Sequence, residues 1–372
     1  MRICILAPGQ STHTYNWIQY FAGRGHQIYL ITFNEYQFDA LENVIVYTIP
    51  PSFPDNIKIF SYIIKMLFGP FINAFDAIKL RKIIRKINPD ILHAHSLSQY
   101  GSMGYFLYFP VFVVTSWGSD ILIEPKKSLN SWIMAKLILN SAKLITCDSN
   151  AVRDECLRYC NQPEKVKVLL WGVDLTTFHE RETTYHEKKI VILSTRDFTS
   201  IYNIDTIIES VHYVVEKCPY VKYVLKNTKM EQVAEFRDLA SSMNVTEFID
   251  FVSRYMKAHE LPKLHYDADI FVSIPSSDSS SISLLEAMAC GLPVIVSDIP
   301  ANHEWVTDGW NGLIVPVRNP EKLAEAILHL IENPDLMQLF GKRNSQIIRD
   351  RADREKHMAN MEGLYRQLLV NT

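Results

Sequence analysis

The sequence holds little that would support metal or disulfide chemistry. Its six cysteines (Cys4, Cys147, Cys156, Cys160, Cys218 and Cys290) are scattered, with no CxxC pair and no Cys/His cluster at ligand spacing. That excludes a zinc ribbon and a stapled secreted domain. Cys156 and Cys160 fall four apart on a predicted helix and read as packing residues. There is no internal repeat and no low-complexity tract. Excess charge is missing too: the formal net charge is -3, which argues against wholesale nucleic-acid binding. The balance is uneven, however. Residues 1–178 carry 17 Lys/Arg against 13 Asp/Glu and the rest carry 21 against 28, so an anionic surface would be met by the first half. No secretory leader is evident: Ile3 to Ala7 is a short apolar run ending in the turn Pro8-Gly9. It reads as a buried first strand in a reducing, cytoplasmic setting.

What is present is material for two cores. The 372 residues are 48% apolar and 21% charged, more than one core accommodates and too apolar for a disordered or fibrous chain. Short β-rich runs alternate with helical patterns. Arg2 to Ala7, Ile28 to Thr32, Val44 to Ile49, Ile91 to His95, Val111 to Ser116, Leu144 to Asp148 and Val166 to Leu170 form a first series of predicted strands. Lys189 to Ser194, Lys222 to Leu225, Ile249 to Phe251, Ile270 to Ile274, Val294 to Ser297 and Gly312 to Val315 form a second. Helices are predicted between several of them, including Tyr15 to Arg24 and Phe75 to Ile87. Strands separated by helix-length segments imply parallel sheets. The fold class expected is α/β, two doubly wound (Rossmann-like) domains facing across a cleft. The boundaries predicted are 1–173, 174–350 and a closing helix over 351–372 that packs back on the first domain. The segment Trp171 to Lys188 is the predicted linker.

Two stretches invite a membrane reading. Ser96 to Ser119 carries no charge, but Gly101, Gly104 and Pro110 break it and Val111 to Thr115 is β-branched, so helix, turn and buried strand describe it better than a span. Ile57 to Phe75 is apolar and leads into the basic run Lys79, Arg81, Lys82, Arg85, Lys86. That combination suits either a protein resting on an anionic membrane through residues 57–86 or a core helix followed by a solvated face.

The richest chemistry lies in Ser276 to Asp298. A strand ends at Ile274, a serine-rich loop follows, and a helix runs from about Ser283 to Cys290 before Gly291 stops it. Open amides at that helix start attract anions. Asp278 and Glu286 flank it, and carboxylates accept from paired hydroxyls, so the set suits a sugar nucleotide.

Asp278 and Glu286, seven residues between them, with LLEAMACGLPVIVSD from Leu284, resemble the acidic pair and helix of the family 4 retaining glycosyltransferases of the GT-B fold. Asp90 to Ser96, Thr115 to Asp120, Trp171 to Phe178 and Asn311 to Pro316 resemble further marks of that family, in order, over nearly the whole chain. The resemblance implies that Glu286 accepts from the donor ribose and Asp278 from the transferred sugar. It also implies that the amides of Ser280, Ser281, Ile282, Ser283 and Leu284 hold sugar and phosphate oxygens, and that Arg196 binds the diphosphate. Gly9 would approach the donor phosphate, and His13 in the same loop would meet the acceptor.

There are departures. Asp278 stands where the family usually has Glu. Tyr202-Asn203 replace a lysine and glycine, and Lys226 or Lys229 is the expected substitute charge. Trp117 replaces a histidine, with His95 or Asp120 as stand-ins; His93 and His95 are expected on opposite faces of their strand, so that only one serves. The activity implied is a retaining, metal-independent transfer from a nucleoside diphosphate sugar to a hydroxyl acceptor, without cofactor, a lipid-linked or cell-envelope glycan being expected. The loop pair of acids (DxD) that would hold a divalent ion is not expected. A sugar-nucleotide epimerase and a non-catalytic sugar-nucleotide binder are the alternatives. A phosphorylase would need a longer chain and a pyridoxal phosphate lysine.

Overall fold

The computed structural model describes residues 1–50, 75–180, 189–227, 232–254, 256 and 260–370. The apolar stretch 57–74, residues 181–188 of the predicted linker and Lys229 lie outside them. The chain divides into two compact units, Met1–Trp171 with Lys356–Thr372, and Gly172–Glu355.

In the first unit the strands are β1 (Arg2–Leu6), β2 (Gln27–Thr32), β3 (Val44–Thr48), β4 (Ile91–His95), β5 (Phe112–Thr115), β6 (Leu144–Cys147) and β7 (Val166–Val168). Its helices are α1 (Thr12–Gly23), α2 (75–87), α3 (Ser102–Leu107), α4 (Ser119–Leu122), α5 (Leu129–Ser141) and α6 (Asn150–Leu157). The second unit has β8 (Ile190–Ser194), β9 (Val221–Asn227), β10 (Ile249–Ser253), β11 (Ile270–Ser273), β12 (Val294–Ser297) and β13 (Gly312–Val315). Around them run α7 (Ile204–Val215), α8 (Val233–Ser242), α9 (Leu261–Tyr266), α10 (Ile282–Ala289), α11 (Pro300–His303), α12 (Pro320–Glu332) and α13 (Pro334–Arg351). The closing helix α14 (Arg354–Val370) begins in the second unit and continues in the first.

Both sheets are parallel throughout, ordered β3-β2-β1-β4-β5-β6-β7 and β10-β9-β8-β11-β12-β13. All thirteen strands fall on runs expected from the sequence. The reason is burial on both faces: β4, β5, β6, β11 and β12 have every residue buried, which leaves continuous apolar or β-branched runs instead of alternation. The order reverses beside β1 in one sheet and beside β8 in the other. Ligands of doubly wound sheets collect there, beyond the strands' C-terminal ends.

The uncharged stretch after β4 is a π-helical turn (Leu97–Gly101), α3 and β5. No helix among the described residues is long and apolar enough to cross a membrane. All six cysteines are buried. On α14, Met358, Met361 and Tyr365 are buried, and the Tyr365 hydroxyl lies 2.5 Å from His93 Nδ1.

Two expectations need correction. His93 and His95 share a face, because side chains alternate at every residue and positions two apart come back to the same side. Their rings lie 4.6 Å apart. Helix α1 starts at Thr12 rather than Tyr15, so His13 stands in its first turn; Ser11, in extended conformation at the cap, already accepts from Tyr15 N at 3.0 Å.

The chain leaves the first unit through a tight crossing. Gly172 has φ +71°, and a Cβ there would lie 2.7 Å from Arg354 N and closer still to its Cα. Val173 N donates to Ala352 O at 2.7 Å and Arg354 N to Val173 O at 3.0 Å. Only glycine fits that approach.

Candidate active site

The second unit gathers most of the expected residues at its switch point. Arg196 follows β8, and the loop after β11 leads into α10, whose cap is Ser281, accepting from Leu284 N at 3.3 Å. Arg196 is buried, and both terminal nitrogens of its guanidinium are hydrogen-bonded. One terminal nitrogen meets Asp278 at 2.6 Å; the other donates to Ser281 Oγ and, at 3.0 Å, to Ser283 Oγ. The guanidinium carbon sits 3.9 Å above the Tyr202 ring. A planar fork with an aromatic floor is a geometry arginine provides and lysine does not. Asp278 also accepts from Ser279 N at 3.0 Å. Burial raises its carboxyl above the usual range, although Arg196 pulls the other way.

Glu286 lies one turn into α10. Burial pushes its carboxyl up to about 7, opposed by Arg354 and Lys226. Lys226, near the end of β9, is depressed by burial and supported by Asp197 and Glu286. Arg354 lies 3.7 Å from Asp174. The cluster thus holds three cations (Arg196, Lys226, Arg354) about Asp278 and Glu286, with Asp197 and Asp174 also acting on Lys226 and Arg354. The sequence missed Arg354, which falls where only the closing helix was legible, and also missed the stacking role of Tyr202. The loops are firmly seated: Trp305 Nε1 donates to Ser280 Oγ at 3.1 Å, and Asn203 Nδ2 to Ile274 O at 2.8 Å.

The remaining candidates belong to the first unit. Gly9 N donates to Thr32 Oγ1 at 2.8 Å, and a Cβ there would crowd Thr32 at 3.1 Å. The amide implied for phosphate is therefore engaged with β2. Asp120 accepts from Leu97 N at 2.7 Å, Ser116 Oγ at 2.8 Å and Trp117 N at 3.0 Å; in this arrangement it ties two loops together. His95 is fully buried among Trp17, His93, Trp117 and Trp171, with ring centroids 4.6–6.1 Å away. Both its nitrogens lack a hydrogen-bond partner among the described residues. Burial depresses it to about 3, so it stays neutral at physiological pH. His13 packs 5.1 Å from Trp171 and 5.9 Å from Trp117.

Among the described residues no group of three or more His, Cys, Asp or Glu is placed to hold a metal ion. Asp267-Ala268-Asp269 has the letters of an acidic DxD pair, contrary to the expectation that none is present. Asp269, however, is buried and accepts from Val191 N at 2.8 Å, which is a structural use.

The fold and this cluster define a class, the glycosyltransferases of GT-B architecture. A family described as "Glycosyl transferases group 1" matches residues 176–347, and one described as "Glycosyl transferase 4-like" matches residues 2–149. Together they span most of the chain, which belongs to the group 1 glycosyltransferases. It is similar to an uncharacterized glycosyltransferase of Methanocaldococcus jannaschii, 24% identical over 352 residues, covering 92% of this chain and 90% of that one. Among solved structures it resembles sucrose-phosphate synthase from Thermosynechococcus elongatus, with TM-score 0.82, 16% identity and all of both chains covered. It also resembles Anabaena HepE in complex with UDP and glucose, with TM-score 0.77, 16% identity, and 99% of this chain and 100% of that one covered.

Proposed function

We propose that the protein transfers a sugar, with retention, from a nucleoside diphosphate sugar, UDP being the favoured carrier, to a hydroxyl of a lipid-linked or cell-envelope glycan. The observation that carries this reading is Arg196 held against Asp278, Ser281 and Ser283 at the start of α10. A guanidinium, a helix N-terminus and Lys226 converge where a departing diphosphate needs stabilisation, each preorganised donor contributing ~1 to 4 kcal/mol in the transition state. That HepE is titled as a UDP and glucose complex supports the choice of carrier.

In this reading the anomeric C–O bond to the diphosphate breaks while the acceptor oxygen attacks from the same face. The acceptor's proton passes to an oxygen of the leaving diphosphate. Glu286 accepts from the ribose hydroxyls and Asp278 from the sugar. Positive side chains carry the developing charge, so no metal ion is invoked. The acceptor class is supported by α2, where Lys79, Arg81, Lys82, Arg85 and Lys86 are all exposed beside exposed Phe75 and Ile78, as suits a protein working peripherally at the inner face of a membrane.

A panel of UDP- and GDP-sugars, with and without lipid acceptors, tests the proposal. Nucleotide release that depends on acceptor and disappears in Arg196→Ala is expected. Isomerised sugar nucleotide without acceptor would indicate an epimerase, and tight UDP binding without product under every pairing would indicate a binder.

A further inference from the structure

Helix α5 presents an apolar stripe that no core uses. Met134, Ala135, Ile138 and Leu139 face inward and are buried, whereas Leu129, Trp132, Ile133 and Leu137 remain 70%, 42%, 40% and 39% exposed. Positions 129, 132, 133, 136 and 137 recur at helical spacing, so they form one outer face. Its polar member is Lys136, whose ammonium sits 5.4 Å over the Trp132 ring. No acidic residue occurs in Leu129–Ser141.

The stripe continues onto its neighbours. Arg81 of α2 donates to Phe106 O of α3 at 3.0 Å, and a Cβ at Gly101 would lie 3.4 Å from Ile138 of α5, so the three helices form one layer. Tyr108 at the end of α3, and Phe75 and Ile78 on α2, are exposed as well. Seven of the thirteen exposed large apolar residues among those described thus fall between residues 75 and 137, a concentration that scattered surface residues would not produce.

Charge completes the pattern. Between residues 75 and 143 there are nine Lys/Arg and four Asp/Glu. Of these acids, Asp76 and Asp120 are buried, Asp90 pairs with Arg2 and Glu124 with Lys127. The outer side of the layer is therefore apolar and cationic. A second copy of the chain would oppose lysine to lysine across such a face. An anionic lipid surface satisfies both halves of the pattern at once.

We propose that the outer face of α2, α3 and α5 docks on an anionic bilayer, with Trp132 at headgroup level and Leu129, Ile133 and Leu137 directed at the acyl chains. The proposal rests on the reading of a membrane-borne acceptor for its purpose and adds the surface that reaches it. The test uses the full chain and sedimentation with phosphatidylcholine vesicles, with and without about a third phosphatidylglycerol. Wild type is expected to sediment with the anionic vesicles, and the bound fraction of the triple variant L129S/I133S/L137S to fall about tenfold or more. Trp132→Phe should remove a lipid-induced blue shift from the fluorescence. UDP release with a water-soluble acceptor should be unchanged in all variants, which shows that they fold. Equal sedimentation of wild type and triple variant, equal binding to neutral vesicles, or a wild-type dimer that the triple variant dissociates would overturn the proposal. If wild type glycosylates a detergent-dispersed lipid acceptor yet never binds vesicles, the surface fails while the acceptor reading stands. If it binds vesicles as expected but uses no lipid acceptor, the acceptor reading fails and the surface stands.

Discussion

Replacing Glu286 with glutamine isolates an electrostatic cost built into the second unit. Burial moves this carboxyl from an ordinary 4.5 to about 7. A raised acid binds its proton more tightly folded than unfolded, so folding is favoured below 4.5, and that advantage is lost as pH rises toward 7. Above pH 7 the folded chain carries the whole cost of an ionised buried carboxylate, which the difference between 4.5 and 7 puts at about 3 kcal/mol. Glutamine has no charge to bury. Glu286→Gln should therefore melt about 6 to 12 °C higher than wild type at pH 8, the range appropriate to a unit of this size, and close to wild type at pH 4.5. It should also bind UDP more weakly at pH 8, since an amide oxygen is a poorer acceptor for ribose hydroxyls than a carboxylate. Thermal melts of both proteins at the two pH values, without nucleotide, read the effect. A gap of the same size at both values, or a glutamine variant less stable at pH 8, would refute the reasoning.

Other consequences are equally direct. Arg196→Lys keeps a charge but loses the fork that meets Asp278, Ser281 and Ser283 and the stacking on Tyr202; kcat/KM should fall about a hundredfold, measured by nucleotide release. Gly172→Ala forces a Cβ into the Arg354 backbone at positive φ and should cost about 3 kcal/mol or more, seen as a lowered Tm. Asp120→Ala strands the Leu97 and Trp117 amides, at a cost of about 3 kcal/mol. If Asp120 is a loop tie, UDP affinity measured by calorimetry should stay within about twofold of wild type, because its partners all lie in the first unit.

The strands were legible because a doubly wound parallel sheet buries both faces, and such runs stand out against helical patterns. The acidic pair and Arg196 were legible because loop, helix start and strand end are local in sequence. Arg354 was not: it reaches Glu286 only because the chain returns to Val173 nearly two hundred residues later, and no local pattern marks that return. Tyr202 was visible as an oddity, but its stacking under Arg196 depends on the turn at Asn203, which has φ +50°. His93 and His95 share a face because the strand period is two, and His13 joins α1 because the helix begins after the serine cap and not at Tyr15. The apolar stripe of α5 escaped notice because Leu129, Trp132, Ile133 and Leu137 look like core residues until burial shows which face the sheet takes.

The most direct measurement is calorimetric titration of UDP into the wild-type chain and into Arg196→Ala. Saturable one-to-one binding to wild type that weakens at least about tenfold in the variant is expected from a guanidinium that holds the diphosphate. Equal affinity for both proteins, or no binding of UDP or GDP to wild type, would contradict a nucleotide-sugar site at the start of α10.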